Sequence, residues 1–404
     1  MKYIILICDG AADWPIEDLG NKTVFEAAKT PNLDWLASHG QMGMLKTIPD
    51  DKPADSGVAN MTILGYAPEN DYTGRGPFEA LSAGVKIREN DIVFRVNLIN
   101  IENDLISDYS SGHITTEESK PLIDALRRDT RADFSAGVQY RHILKLDGNK
   151  YSPEIRLTPP HDILGQPYKK YLAEPMDKSD IKAKTTADLV NNLVDRSYEI
   201  LKNHRINKKR EKEKRVVATH IWPWGAGKKP NIKFFKEKYG KKGAVISAVD
   251  LIFGIGIAAG LEPIRVKGAT GLPDTNYKGK VEAALKQLRE KDLVYLHIEA
   301  IDEMGHTGDP KKKIAALEDF DLKIVKPFIE AEEEFNNELV IVVLPDHPTP
   351  CKKRTHTRDP VPFVIYNPKK VSKSQREYSE NTCKEGEYGL IESGEEFMKL
   401  ILSN

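Results

Sequence analysis

Three apolar runs in this chain end in acids, and two of them add a histidine. Leu293–His306, LVYLHIEAIDEMGH, begins as a continuous apolar stretch, as expected of a strand buried on both faces, and then breaks into acid, glycine and imidazole. Asp302 and His306 stand four apart, so one helical turn beyond the strand would put both on the same side. Leu339–His347, LVIVVLPDH, ends in Asp346 and His347, and Tyr3–Asp9, YIILICD, ends in Asp9. Ser56 precedes an apolar helical pattern at Val58, Met61 and Leu64, and His356 follows in the loop KKRTHTRDP. Taken singly, each has a bland reading: strand ends are often turns, a D-x-x-x-H is often solvated, and serine is among the best helix N-caps. Taken together, three carboxylates on one sheet edge would repel one another unless a cation neutralised them, and mixed oxygen and imidazole ligands suit manganese, zinc or iron. The set Asp9, Ser56, Asp302, His306, Asp346, His347 and His356 exceeds what one tetrahedral ion needs. It fits two metals, which can activate a nucleophile on one side of a phosphoryl group and stabilise charge on its oxygens. Ser56, beside the amide donors of a helix start, is the candidate nucleophile, a role compatible with capping.

For these residues to meet, strands of one open α/β sheet must end side by side. Tyr3–Cys8 reads as a central strand whose loop carries Asp9, Gly10, Asp13 and Trp14. Thr30-Pro31 opens a helix, PNLDWLASHG, with Pro31 in the first turn, Gly40 at the stop and Leu33, Leu36 and Ala37 on one face. Gly243–Val249 is a strand pattern, LIFGIGIAAG a packed helix, Lys278–Lys291 an exposed amphipathic helix, Pro310–Phe335 a long helix kinked at Pro327, and VPFVIY a final strand. GPFEALSAGV looks like a proline-started helix, and near residue 90 the rhythm changes to alternation in DIVFRVNLI. Short strands (Phe94–Ile99, Arg141–Leu146), amphipathic helices (Glu117–Arg128, Ala187–His204) and proline-rich loops follow, which read as a separate α+β lobe. This lobe holds His113, Arg141, His142, His161 and Asp162, residue types that singly are more often surface or satisfied core groups than functional ones. The charge run Lys202–Arg215 reads as solvated surface. In VVATHIWPWGAGKKP, a Gly-rich turn with Lys228 and Lys229 is a candidate anion holder between two tryptophans, although GAGK lacks P-loop spacing.

At 404 residues the chain exceeds one ordinary hydrophobic core, and two domains are expected. Sixty basic residues against 61 acidic give a formal charge of −1, which argues against a dedicated nucleic-acid or membrane-surface binder. Cys8, Cys351 and Cys383 are odd in number and far apart, which suits a reducing compartment without a disulfide framework. Ile4–Cys8 is too short for a signal-peptide core and no run of about 18 apolar residues occurs, so a soluble cytoplasmic protein is expected.

CDG, DSGVANMTILGY, DEMGH, LPDH and THTRDPVPF resemble, in order, the metal-site motifs of the alkaline phosphatase superfamily. With YSSGHITTEE, PPHDILG, GAVISAVDLI and GATGLPDTNY, the chain resembles over essentially its whole length the archaeal-type 2,3-bisphosphoglycerate-independent phosphoglycerate mutase family. The resemblance implies an alkaline-phosphatase-like α/β sandwich, with a central mostly parallel sheet flanked by helices, and a smaller inserted α+β domain. The expected boundaries are 1–88 with 241–404 for the metal-binding part and 89–240 for the substrate-binding lid. It implies two divalent metals, manganese first and zinc, cobalt or magnesium as alternatives, with no 2,3-bisphosphoglycerate. Asp302, His306 and His356 would hold one metal, and Asp9, Asp346, His347 and Ser56 the other. Ser56 would take the phosphoryl from 3-phosphoglycerate and return it to the other hydroxyl. His113, Arg141, His142, His161, Asp162 and Lys228 are the expected substrate contacts, and the partner is a small phosphorylated substrate. Two positions depart from the family pattern. Asp55 precedes Ser56, where the family puts serine before aspartate, and the register to ILGY keeps the nucleophile at Ser56. Trp222, Pro223 and Trp224 precede the GAG turn, where mutases carry an arginine. WPWGAGK, PPHDILG and INKKR look like a branch proposed to act as homoserine kinase, which is the alternative function. A metal-dependent phosphatase, should water intercept phospho-Ser56, is the second, and the intact ligand set argues against a decayed binding protein.

Overall fold

The computed structural model describes residues Met1–Asn404. The chain packs into two units, Met1–Tyr72 with Asn231–Asn404, and Thr73–Pro230. In the larger, eight strands form one sheet: β1 (Lys2–Cys8), β2 (Gln41–Leu45), β3 (Gly243–Ile246), β4 (Glu262–Pro263), β5 (Leu293–Ile298), β6 (Leu339–Leu344), β7 (Val361–Tyr366) and β8 (Leu390–Ile391). Their spatial order is β4-β3-β5-β1-β6-β7-β2-β8, parallel throughout except where β7 meets β6 and β2. The apolar runs of β1, β5 and β6 are the middle of this sheet and are buried apart from Lys2 at the start, as strands covered on both faces must be. Ile4, Leu6 and Cys8 point into a core shared with Leu33, Leu36 and Ala37 of helix Pro31–His39 and with Val281, Ala284 and Leu288 of helix Tyr277–Glu290. Ile5 and Ile7 alternate to the other face, and the register puts Tyr295 and His297 of β5 beside them.

Two helical expectations are corrected. The pattern Pro310–Phe335 is not one helix kinked at Pro327: an α-helix Pro310–Phe320 widens into a π turn, Asp321–Val325, before Lys326–Glu330. A proline that cannot donate its missing N–H is accommodated by the wider turn that precedes it. Helix Tyr277–Glu290 is not simply an exposed one, since Lys280 within it is fully buried. No helix is long and apolar enough to cross a membrane.

The smaller unit is built on an antiparallel sheet whose long strand Asp91–Glu102 pairs with Arg141–Asp147 on one side and His220–Lys228 on the other. Helices Thr116–Thr130 and Ile181–Leu201 contribute to its apolar core. Helix Arg75–Ser82 belongs to this unit, because Glu79 pairs with Arg95 and Ala80 packs on Val93 and Ile143. The crossings therefore lie at 72/73 and 230/231, ahead of the expected 88/89 and 240/241. Two further readings change here. The WPWGAGK segment is a strand and not a Gly-rich turn, and its glycines permit close packing: a Cβ on Gly227 would strike the Thr73 carbonyl. The charge run is not all surface, since Arg210 is buried with its guanidinium on Glu118 and the carbonyls of Ser111 and Val216.

Candidate metal centre

The parallel register Ile7↔Leu344 carries Asp9 and Asp346 to the same height beyond the ends of β1 and β6. Helix Ala300–Thr307, starting just after β5, sets Asp302 and His306 one turn apart, with His306 Nε2 3.0 Å from Asp302 Oδ2. The loop after β6 brings in His356, whose Nε2 is 3.1 Å from His306 Nε2 and 3.6 Å from Asp302 Oδ1. Ligand atoms of a tetrahedral ion at about 2.0–2.1 Å lie roughly 3.3 Å apart, and these three meet that spacing. On the other side of the cluster, His347 Nε2 lies 3.5 Å from both Asp9 Oδ1 and Asp346 Oδ2, and 3.1 Å from Ser56 Oγ. The seven residues singled out from the sequence are thus gathered in one place.

Ser56 is the first residue of helix Ser56–Ile63 and not its cap. Asp55 caps, accepting the Gly57 N–H at 2.7 Å, which leaves the serine hydroxyl to the cluster. Four residues on, Asn60 donates to the Ser56 carbonyl and to Asp346 Oδ2, both at 2.8 Å, and accepts from the Tyr295 hydroxyl. Asn60 therefore ties the serine helix to two strands. Lys313, fully buried, pairs with Asp13 at 2.9 Å and donates to the carbonyls of Ala12 and Thr349, which locks the Asp9 loop to the His347 loop. Gly10 has φ +65°, and a Cβ there would collide with the Asp302 carboxylate. Asn60, Tyr295, Lys313, Thr349 and His297 did not emerge from the sequence. Asn60 and His297 interrupt otherwise apolar helix and strand runs, and that interruption was the available signal.

The hydrogen bonds fix which ring nitrogen faces inward. His306 Nδ1 is 3.0 Å from the Arg354 carbonyl and His356 Nδ1 is 3.2 Å from the Ala54 carbonyl, so both Nδ1 atoms carry the donated proton. Thr349 donates to Asp302 and can then accept the His347 Nδ1–H at 3.3 Å. In the neutral rings all three Nε2 lone pairs point to the cluster, the arrangement of metal-bound histidines. Burial, then the charges of Asp346 and Asp302, pushes the Asp9 carboxyl well above its ordinary value. Burial would also raise Asp302, but the His356 and His306 imidazoles hold it well below. Against burial, Asp302 lifts His306 to about 9. The raised Asp9 and His306 both mark a crowd of buried carboxylates, and Asp9 Oδ1 is buried without a hydrogen bond. The donor set fits divalent cations. Ligand atoms fall into two groups, Asp302 with His347 and His356, and Asp9 with His297 and Asp346, each within 4.8 Å.

In the smaller unit, the other candidates separate. His142 is buried in the sheet, accepts the Gly137 N–H at 3.2 Å, and is pushed down to about 3 by burial and then Arg95, a neutral core histidine. Around Tyr109, Tyr140 and Trp224 gather His161, 5.5 Å from Trp224 and 6.0 Å from Tyr109, His113, 6.3 Å from Tyr140, and the Arg141 guanidinium, 4.5 Å over Tyr140. Asp162 is exposed, 3.7 Å from His161, and Lys228 is exposed four residues along the strand from Trp224. Trp222 and Trp224 are buried, with their Nε1 atoms donated to Thr158 O and Asn97 Oδ1. They do not frame an open pocket. Where the family's arginine is absent, Arg75 and Arg95 lie 5.3 and 5.5 Å from the Trp224 ring and share Glu79, which despite its burial they hold at about 2.

A family profile described as 2,3-bisphosphoglycerate-independent phosphoglycerate mutase matches residues 37–207. A Methanosarcina mazei protein of that name is 47% identical, with 100% of each chain covered. Among solved structures, a Pyrococcus horikoshii protein is 29% identical with TM-score 0.80, covering 100% of this chain and 96% of its own. The cofactor-independent phosphoglycerate mutase of Thermoplasma acidophilum is 30% identical with TM-score 0.64, covering 100% and 99%. By identity and coverage, the chain belongs to the 2,3-bisphosphoglycerate-independent phosphoglycerate mutase family.

Proposed function

We propose that the protein interconverts 3-phosphoglycerate and 2-phosphoglycerate through transient phosphorylation of Ser56, with two divalent metals, manganese first, and no added 2,3-bisphosphoglycerate. The observation that carries this reading is Ser56 Oγ at the first position of its helix, 3.1 Å from His347 Nε2 inside the carboxylate–imidazole cluster. Asp302, His306 and His356 would hold one ion, and Asp9, Asp346, His347 and Ser56 the other. Such ions lower the pKa of a bound hydroxyl and neutralise phosphoryl oxygens. Asp55, by capping, holds Ser56 at the helix start, where amides and the helix dipole favour phosphoryl charge. Asn60 keeps that helix in register with Asp346. In the forward half-reaction Ser56 Oγ gives up its proton and bonds to phosphorus, the bond from phosphorus to the C3 oxygen breaks, and the C3 oxygen takes up one proton. After glycerate reorients, its C2 hydroxyl gives up a proton and takes the phosphoryl back, restoring Ser56. The part-exposed Arg141 in the smaller unit, over the Tyr140 ring, is suited to bidentate recognition of carboxylate or phosphate, which meets the absence of an arginine before the GAG segment.

The kinase alternative rests on the resemblance of WPWGAGK, PPHDILG and INKKR, and the relatives matched over the whole chain carry the mutase name instead. The test is a coupled assay on manganese-loaded protein, offering 3-phosphoglycerate alone and, separately, homoserine with ATP. Turnover of phosphoglycerate without nucleotide or bisphosphoglycerate is expected. ATP-dependent phosphohomoserine with phosphoglycerate inert, or release of free phosphate in place of 2-phosphoglycerate, would overturn the reading.

A further inference from the structure

His297 escapes a search of strand ends because it lies within β5. It is 1% exposed. Its register partner is Ile7, so it shares a sheet face with Asp9, two residues on and just past the end of β1. His297 Nε2 is 3.1 Å from Asp9 Oδ2, close enough for a hydrogen bond, yet it makes none, and Asp9 Oδ1 is also buried without one. Buried polar atoms are rarely left so, since each loses its water without replacement. A ring nitrogen of His297 lies with a carboxylate oxygen from each of Asp9 and Asp346 in a group within 4.8 Å, and Nε2 is the one beside Asp9. That is the grouping of donors around a shared cation. The other nitrogen repeats the pattern of His306, His347 and His356. His297 Nδ1 is 3.3 Å from Ser247 Oγ, and that oxygen is fixed by accepting the Val249 N–H at 3.0 Å. Ser247 can accept the Nδ1–H, which leaves the Nε2 lone pair facing Asp9.

We propose that His297 is a direct ligand of the cation held by Asp9 and Asp346, with Ser247 as the group that orients its ring; this rests on the two-metal reading above. The assignment gives this cation an imidazole of its own. His347, which is 3.5 Å from Asp9 Oδ1 and also grouped with Asp302 and His356, has donors of both groups within reach. A core histidine that merely hydrogen-bonds Asp9 would carry its proton on Nε2, and with the Nδ1–H given to Ser247 it does not.

The experiment is Mn2+ titration of the metal-free full-length protein by EPR and calorimetry, with Co2+ absorption spectra, for wild type, His297→Gln, Ser247→Ala and Asp302→Asn. Wild type should take two equivalents. His297→Gln should weaken one equivalent by about 100-fold or more and alter the Co2+ bands, while the equivalent lost in Asp302→Asn stays at wild-type affinity. Ser247→Ala should weaken the same equivalent as His297→Gln by about 10-fold. Two Mn2+ bound to His297→Gln at wild-type affinity with unchanged Co2+ bands would overturn the proposal and leave the two-metal reading standing. Fewer than two equivalents in wild type would sink that reading, and the proposal with it. Should His297→Gln fail to fold, Ser247→Ala decides, since it deletes one hydroxyl: unchanged affinity at both equivalents overturns the proposal.

Discussion

The one-residue offset that makes Asp55 the cap and Ser56 the first helical residue separates structure from chemistry at this position. Ser56→Ala should cost little stability, about 0.5 kcal/mol or less, where loss of a cap would cost about 1 kcal/mol. The same change should lower mutase turnover by on the order of 10⁴-fold or more. Urea unfolding and steady-state kinetics on one preparation check both halves. A second prediction concerns the raised Asp9 and His306. In the metal-free protein His306 is lifted to about 9 and Asp9 is raised as well, so Mn2+ must displace protons. Affinity should rise with pH from 6 to 9, and binding at pH 7 should release protons, readable as heats that differ between buffers of unlike ionisation enthalpy. The sign for stability runs the other way. The raised His306 contributes to the metal-free fold fully below about 6.5, its unfolded value, and loses that contribution as pH climbs through about 9. Asp9, Asp302, His306, Asp346 and His347 were legible because a buried strand that runs out into an acid or imidazole is conspicuous against its own apolar run, whereas Ser56 showed only as a helix start and His356 only within a family motif. His297 and Asn60 showed only as polar interruptions of apolar runs, a signal that acquires meaning only from the partner across the sheet or helix interface.

Helices and loops reach the cluster through buried polar ties, so changes to the ties should report on elements as a whole. Lys313→Met removes the cation from a buried Asp13 and should cost about 3–5 kcal/mol, seen as a lower urea midpoint with an unchanged slope. Asn60→Ala strands the Tyr295 hydroxyl and Asp346 Oδ2 and should cost about 1–3 kcal/mol, with kcat falling more than KM rises because the serine helix loses its register. Element types were mostly readable from periodicity, but what fixes their ends was not. Thr30 looks like the opener of helix Pro31–His39, yet its side chain caps nothing; Asp321, on the distant π turn, accepts the Leu33 N–H at 2.7 Å instead. Pro327 likewise signals a break, and the break falls in the turn before it. Local sequence states that a helix must start or yield, and tertiary contact chooses the group that does it.

For the molecule as a whole, the metals should stabilise the unit that contains Asp9, Asp302 and Asp346. With free Mn2+ at 100 times its dissociation constant, each ion adds about 2.7 kcal/mol, so calorimetry with and without chelator should move the transition of that unit. The two-unit plan was legible from the change of rhythm near residue 90, but its edges were not, because the helix Arg75–Ser82 reads like its predecessors and is claimed by Arg95 only in three dimensions. That the acid-bearing strands adjoin was expected, their exact order was not, and that order has a consequence for how the protein is made. β1 lies between β5 and β6, and roughly 290 residues separate it from the first of them and 330 from the second. At about 5–20 residues per second on the ribosome, YIILIC waits on the order of 15–60 s with neither edge paired. Nascent chains of this protein should therefore lean on chaperones over that interval, and metal can be captured only after Asp346 has left the exit tunnel.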